Sequence, residues 1–370
     1  MHHLLRAANL GKGGSKVRTL LRAANLFLPL FLLSVAVVHA QHGLTLSQTR
    51  ELWGQYKTSC IQQDGRVIDW QQSGISHSEG QGYGLLLAVL YDDRTMFDTI
   101  WRWTDNNLRA RKDNLLPWSW GKRSNGQWGI IDYNNATDGD ILVAFALVRA
   151  AERWNVPDYR RQGVKLIEAI RSNLATTHQG RSYLLPSHYG FQNGTELVLN
   201  PSYQIFAAYR LFAQVDNKEF WDKIYRDSMF LTSSATFGKM KLPADWVALN
   251  KKGIAPWKER SPLFGYEAIR VMLYLSWERK PVFPEGLKEL FVLYQHKGYL
   301  PATIDLLKQK VSSEEASGGF YAVCARAAEK MGNKKLSGQL WTKALKMAAT
   351  EKNQYYSSSL LLMALPDVEL

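Results

Sequence analysis

From about residue 45 to the end of the chain, apolar side chains return every three or four positions, the period of an α-helix with one buried face. The stretch 139–154 is representative: Ile141, Leu142, Phe145, Leu147 and Val148 are apolar, while Arg149, Glu152 and Arg153 are polar. The same period predicts helices at roughly 45–59, 79–91, 95–109, 139–154, 157–175, 202–214, 217–231, 265–278, 286–296, 313–331, 334–349 and 354–364. Alternating runs are scarce, so strands are expected to be few and short. The fold class is therefore all-α. A dozen helices fit a solenoid of helix pairs or a double ring of six inner and six outer helices, and the period does not choose between them. No Gly/Ser- or Pro-rich linker interrupts 44–370, and no motif repeats at a solenoid spacing.

The first forty residues follow a different rule. Arg18 and Arg22 precede an apolar run from Leu26 to Val38, and Val38-His39-Ala40 offers a small-residue exit. That order reads as a secretory signal peptide over 1–40, with 41–370 as a single domain. The run is shorter than the ~20 residues a spanning helix needs, so no stable membrane span is expected after cleavage. The segment LLRAANL occurs twice, at 4–10 and 20–26. Export places the mature chain in the periplasm or outside the cell.

Removing the leader also changes the charge. It carries five basic residues and no acid, so the formal charge of +13 drops by five to +8. The remaining basic residues are scattered, Lys251-Lys252 and Lys334-Lys335 being only pairs. Nucleic-acid binding would want a dense stripe, so nucleic acid is not an expected partner. Cys60 and Cys324 are the only cysteines; export permits a disulfide, and two buried thiols fit equally well. There is no CxxC, HExxH or His-rich tract, and no metal or other cofactor is implied.

Two long inter-helix stretches, 110–137 and 232–264, are rich in Trp, Gly, Pro and Asn. Loops of that length in a compact domain usually serve function. They carry Trp118, Trp120, Trp128, Trp246 and Trp257. Indole faces suit the apolar faces of sugar rings, although any one Trp could equally pin a loop onto the helix ends.

Three acidic motifs stand out. Ser76-His77-Ser78-Glu79-Gly80-Gln81-Gly82-Tyr83-Gly84 contains S-x-x-E, a capping box at a helix start. A capping box does not explain three glycines at alternate positions, each costing ~1 kcal/mol against alanine; something must approach that backbone closely. Asn134-Asn135-Ala136-Thr137-Asp138-Gly139-Asp140 also reads as a helix cap, or as a polar cluster for hydroxyl groups. Glu267 and Arg270 share a helical face at i,i+3, either as a plain ion pair or as a carboxylate held ionised by arginine. No nucleophile elbow, P-loop or dinucleotide fingerprint is present. Paired carboxylates remain, the equipment of glycosidic-bond hydrolysis.

Taken in order, these pieces resemble glycoside hydrolase family eight, and within it the bacterial endo-β-1,4-glucanases. Asp64-Gly65-Arg66-Val67-Ile68-Asp69 leads into the Glu79 motif, followed by Trp118-Ser119-Trp120-Gly121, Ala136-Thr137-Asp138-Gly139-Asp140, Asn200-Pro201-Ser202-Tyr203, Ala244-Asp245-Trp246 and Tyr266-Glu267-Ala268-Ile269-Arg270. The resemblance spans most of 44–365. It implies an (α/α)6 barrel with a cleft across one end and an inverting mechanism on a β-1,4-glucan chain. It implies that Glu79 is the general acid, that Asp138 helps distort the sugar at the cleavage point, and that Tyr203 and Arg270 surround that sugar. Trp118, Trp120 and Trp246 are expected to bind glucan. The family's base is usually an aspartate in a Tyr-Asp-Ala-x-Arg context; here Glu267 stands there, one methylene longer. The expected mechanism has a raised-pKa Glu79 donating its proton and Glu267, oriented by Arg270, activating water. The resemblance also implies a cellulase that works beside the cellulose synthase machinery. Alternatives are a xylanase or chitosanase of the same fold, a glucan-binding protein with little turnover, and a helical-pair scaffold without carbohydrate function.

Overall fold

The computed structural model describes residues 44–366; the leader expected over 1–40 lies outside them. The helices are α1 (Leu46–Cys60), α2 (Ser78–Leu90), α3 (Arg94–Leu108), α4 (Thr137–Trp154), α5 (Pro157–Leu174), α6 (Phe206–Val215), α7 (Lys218–Ser234), α8 (Ile269–Ser276), α9 (Gly286–Lys297), α10 (Gly318–Lys330), α11 (Lys334–Ala348) and α12 (Tyr355–Ala364). They alternate in character. Helices α2, α4, α6, α8, α10 and α12 are buried on nearly every side. Helix α3 instead buries one stripe, Phe97, Ile100, Trp103, Thr104 and Leu108, and α5, α7 and α11 do likewise. All-round burial belongs to an inner helix and a single stripe to an outer one. The chain is thus an (α/α)6 double ring, which decides between the two arrangements the period left open. The last inner helix meets the first elements: Ser359 Oγ donates to Tyr56 OH at 3.0 Å, and Tyr91 OH donates to the Leu362 carbonyl at 2.8 Å.

Glycine allows a close contact between two inner helices. A Cβ on Gly82 would stand 2.6 Å from Leu142 Cβ, and one on Gly139 would stand 2.2 Å from Ser78 Oγ and 2.7 Å from the Glu79 nitrogen. The close approach expected at the Glu79 motif is therefore helix α4 against helix α2, not a ligand. The capping box does not form: the N-cap residue His77 makes no side-chain bond to the helix amides, and Glu79 bonds elsewhere.

The strands are short, as the sequence suggests, and they fill the long stretches between helices. Strands β1 (Ser76–His77), β2 (Pro117–Lys122) and β3 (Trp128–Asn135) form an antiparallel sheet beside the start of α2. Register is irregular between Ser119 and Trp120. A second sheet joins Gln192–Asn193, Glu196–Leu199, Val247–Asn250 and Gly253–Pro256. Its Leu199↔Val247 pair brings the next residues out, Asn200 and Trp246, side by side.

Three inner helices start later than the period predicts, among them α10, expected from 313 and starting at Gly318. The helix expected from 265 begins at Ile269, because the Asp245 carboxylate takes the Gly265 and Ala268 amides at 3.2 and 2.7 Å and holds that segment as a turn. The helix expected from 202 begins at Phe206, because Asn200 caps a 3-10 turn over Pro201–Tyr203. Cys60 and Cys324 are both buried free thiols. No helix among the described residues is long and apolar enough to cross a membrane.

Candidate active site

Inner helices aim their N-termini at one end of the ring. Glu79 lies in the first turn of α2, Asp138 in that of α4 and Arg270 in that of α8, while Tyr355 and Tyr356 open α12. Tyr203 and Glu267 sit just before α6 and α8. Together they line a cleft of about 790 Å³, joined there by Asp69, His77, Trp118, Phe191, Trp246 and Arg260. Converging helix N-termini give this end a positive field that favours carboxylates.

Arg270 is the hub. Its Nη1 donates to Glu79 Oε2, to Asp138 Oδ2 at 2.9 Å and to Tyr83 OH at 3.1 Å. Its Nη2 lies 3.8 Å from Glu267 Oε2, too far for a hydrogen bond. Its guanidinium also sits over the Tyr203 ring, 5.6 Å from the centroid. Arg270 thus holds the Glu79–Asp138 pair, rather than serving mainly to orient Glu267 as the i,i+3 spacing suggests.

Glu267 has other supports. Its Oε1 accepts from Trp246 Nε1 at 2.9 Å, and its Oε2 accepts from Asn200 Nδ2. Asn200 is itself fixed, because its Oδ1 accepts from the Ser202 nitrogen and hydroxyl at 2.9 and 2.7 Å. Those bonds settle which end of the amide faces Glu267. The extra methylene is therefore accommodated, with both carboxylate oxygens satisfied and the side chain still part-exposed to the cleft.

Electrostatics separate the acids. Burial raises the Glu79 carboxyl, but the Arg270 guanidinium and then His77 outweigh it and hold it below the ordinary range. Asp138 goes the other way: burial, then the Glu79 charge, push it well up against the pull of Arg270. The two carboxyls share a hydrogen bond and titrate together, and within the pair the proton favours Asp138 over Glu79. This runs opposite to the expectation of a raised Glu79. Asp245, buried beneath Glu267, is pushed up to about 7 by burial and by the Glu267 charge.

The expected tryptophans divide. Trp118 lines the cleft, its Nε1 donating to Asp132 Oδ2 at 2.8 Å. Trp120 is packed instead between Trp103 and Trp128, at 5.1 and 5.4 Å, with Arg66 over its ring at 5.2 Å. The register break at Ser119 separates it from Trp118. Trp246 reaches the cleft, but Phe191 stacks on it at 5.5 Å and Arg260 lies over its ring at 5.0 Å. It positions Glu267 more than it offers a free platform.

Sequence reasoning passed over Asp69, His77, Asn200, Tyr355 and Tyr356 as site residues. Asp69 and Asn200 lie inside the family-like segments and His77 beside Glu79, whereas Tyr355 and Tyr356 carry no local signal.

Comparison with known proteins agrees with this arrangement. Residues 28–367 match the sequence description of the Glycosyl hydrolases family 8. An endoglucanase of Cellulomonas uda is 34% identical over 293 residues, covering 79% of this chain and 81% of the relative. A probable endoglucanase of Novacetimonas hansenii is 33% identical, covering 73% and 80%. The crystal structure of a family 8 endoglucanase from Klebsiella pneumoniae superposes with a TM-score of 0.73 at 33% identity, covering 85% of this chain and 97% of that one. A cold-adapted family 8 xylanase, at 17% identity and a TM-score of 0.71, shares the fold. With its inner-helix cleft and its match across most of its length, the chain belongs to glycosyl hydrolase family 8 and is a glycoside hydrolase.

Proposed function

We propose that this enzyme is an endo-β-1,4-glucanase that cuts cellulose-type chains with inversion, Glu79 acting as acid and Glu267 as base. One observation carries the reading: Glu79 and Glu267 line the same cleft, with the Arg270 guanidinium between them. Inverting hydrolysis needs two carboxyls across a gap that admits the sugar and one water. The names of the relatives, endoglucanases at 33–34% identity, point to the same substrate.

In this reading a glucan chain enters along Trp118 and Phe191. Asp138 holds hydroxyl groups of the sugar at the cleavage point, and Tyr203 packs beneath it. The proton lent to Glu79 passes to the glycosidic oxygen. Glu267, an acceptor held by Asn200 and Trp246, takes a proton from water on the opposite face. The firm seating of Glu267 favours turnover over a binding protein that has lost its base. A reducing-sugar assay on carboxymethylcellulose, xylan and chitosan tests the substrate. The carboxymethylcellulose arm is expected to give the highest rate, and a higher rate on either other polymer would reject the glucanase reading.

We further propose that residues 1–40 are a cleaved leader and that 41–370 work as one catalytic domain in the periplasm or outside the cell, where nascent glucan leaves the cellulose synthase machinery. Arg18, Arg22 and the apolar run 26–38 support this. N-terminal sequencing of exported protein is expected to start at Gln41; a start within 1–40 would reject it.

A further inference from the structure

Glu79 must regain a proton after each turnover, and Asp138 has only one to lend. The bonding atoms around Asp138 are Arg270 Nη1, the Gly139 amide and Glu79 itself, so no second donor stands behind it. On its other oxygen, Glu79 is differently connected. Tyr355 OH donates to Glu79 Oε1 at 2.8 Å. The same hydroxyl lies 3.3 Å from His77 Nδ1, and His77 Nε2 lies 3.1 Å from Asp69 Oδ2. Asp69 is fixed in turn by the Gln71 amide at 2.9 Å, the Gln72 amide at 3.3 Å and Gln72 Nε2 at 2.9 Å. His77, Tyr355 and Asp69 all line the cleft, so water reaches the chain when product leaves.

We propose that His77 and Tyr355 form a proton relay, backed by Asp69, that recharges Glu79 between turnovers; the proposal rests on Glu79 being the acid. The hydrogen bonds close in either of two states. In the spent state Glu79 is anionic and accepts from Tyr355 OH; the tyrosine oxygen accepts from His77 Nδ1–H, and His77 Nε2–H donates to Asp69. His77 is then a cation beside a carboxylate. In the charged state one shift has occurred along the line. The His77 Nδ1–H bond breaks and that proton bonds to the tyrosine oxygen. The tyrosine O–H bond breaks and its proton bonds to Glu79 Oε1. Now Glu79 donates to Tyr355, Tyr355 donates to Nδ1, and Nε2–H still donates to Asp69. No donor is left facing a donor. Once Glu79 has given its proton to the leaving oxygen, the Tyr355 O–H turns back to Glu79, and the freed Nδ1 takes up, through cleft water, the proton that Glu267 removed from the attacking water.

The rest of the surroundings favour this route. Burial pushes the Tyr355 hydroxyl far above its ordinary range, as do the Glu79 and Asp69 charges, so a concerted shift through the phenol is favoured over a free phenolate. Charged and titratable groups reach this line from every side. Asp69 comes from the loop before β1, Arg270 and Asp138 stand across Glu79, and Tyr56 of α1 lies behind, held by Ser359. The Trp118 ring lies over the imidazole at 6.5 Å and is uncharged.

The test uses two substrates and the full-length enzyme. Cellopentaose needs its leaving oxygen protonated. A 2,4-dinitrophenyl β-cellotrioside does not, because dinitrophenolate leaves unprotonated. His77→Gln and Tyr355→Phe cut the line at different places. Each is expected to lower kcat on cellopentaose by about 10- to 100-fold, with KM little changed, while leaving the rate on the aryl substrate near that of the parent. The double variant is expected to be no slower than the worse single one, as for residues acting in series. Equal losses on both substrates, multiplying losses in the double variant, or no loss on cellopentaose would overturn the relay. Glu79→Gln serves as the control: if it cleaves cellopentaose at the parental rate, the assignment of the acid itself fails, whatever the relay variants do.

Discussion

Arg270 donates Nη1 to Glu79, although its own helical turn places it beside Glu267, from which its Nη2 stands 3.8 Å away. One buried cation therefore compensates two buried carboxyls, Glu79 and Asp138, that start two different inner helices. Removing it strands both. Arg270→Met is expected to lower unfolding stability by about 3–5 kcal/mol at pH 7 and to abolish hydrolysis, because a largely buried charge left without its partner is costly. Urea denaturation read by tryptophan fluorescence measures the first effect. A variant as stable as the parent would show that water or rearrangement already screens the pair.

Glu267→Asp restores the residue usual in the family yet is expected to cost activity here. The bonds to Asn200 and Trp246 fit the longer side chain, and a retreat of ~1 Å can cost ~100-fold in rate. We expect kcat on carboxymethylcellulose to fall about 10- to 100-fold with KM largely kept. A gain in kcat would show that the extra methylene is a handicap rather than a fitted part.

Some of the site was legible in the sequence and some was not, for identifiable reasons. The alternate glycines around Glu79 announced close approaches: Gly82 meets Leu142 and Gly139 of α4, Gly84 meets Val67 and Ile100, and Gly80 faces Tyr355. The helical period found the twelve helices of the described residues, but it could not see that the Asp245 side chain would hold 265–268 out of α8. Strict alternation along β2 would place Trp118 and Trp120 on one face; the irregular register at Ser119 sends them apart, and no residue type announces it. His77 stood in view beside Glu79, but its partner Tyr355 comes from the last inner helix, so its role required the ring to close.

Gly139→Ala tests that packing. Its Cβ would meet Ser78 Oγ, the Glu79 nitrogen and the Ser78 carbonyl carbon well inside contact distance, and the two backbone atoms cannot swing aside. Overpacking of this kind costs about 1–3 kcal/mol. The variant is expected to lose both thermal stability and hydrolysis, since Glu79 moves with the backbone. Unchanged Tm and rate would mean that α2 and α4 can separate freely.

Asp245 gives the pH dependence a defined sign. Its carboxyl is raised from 3.8 to about 7 in the fold, so between those values the folded chain holds a proton that the unfolded chain has released. The stability it contributes is present below about pH 4 and is lost as pH rises through about 7. Asp245→Asn imitates the protonated acid, keeping the oxygen that accepts from Gly265 and Ala268. Its Tm is expected to fall less than the parent's between pH 5 and pH 8. Parallel Tm curves would remove Asp245 from the account.

The central claim is that Glu79 and Glu267 work from opposite faces of one sugar. Proton NMR of cellopentaose during the first minutes of hydrolysis tests it most directly, because it reads the configuration of the newly formed reducing end before mutarotation. The account predicts α-anomer from the parent enzyme and no product from Glu79→Gln. Initial β-anomer, or cleavage by Glu79→Gln at the parental rate, would contradict it.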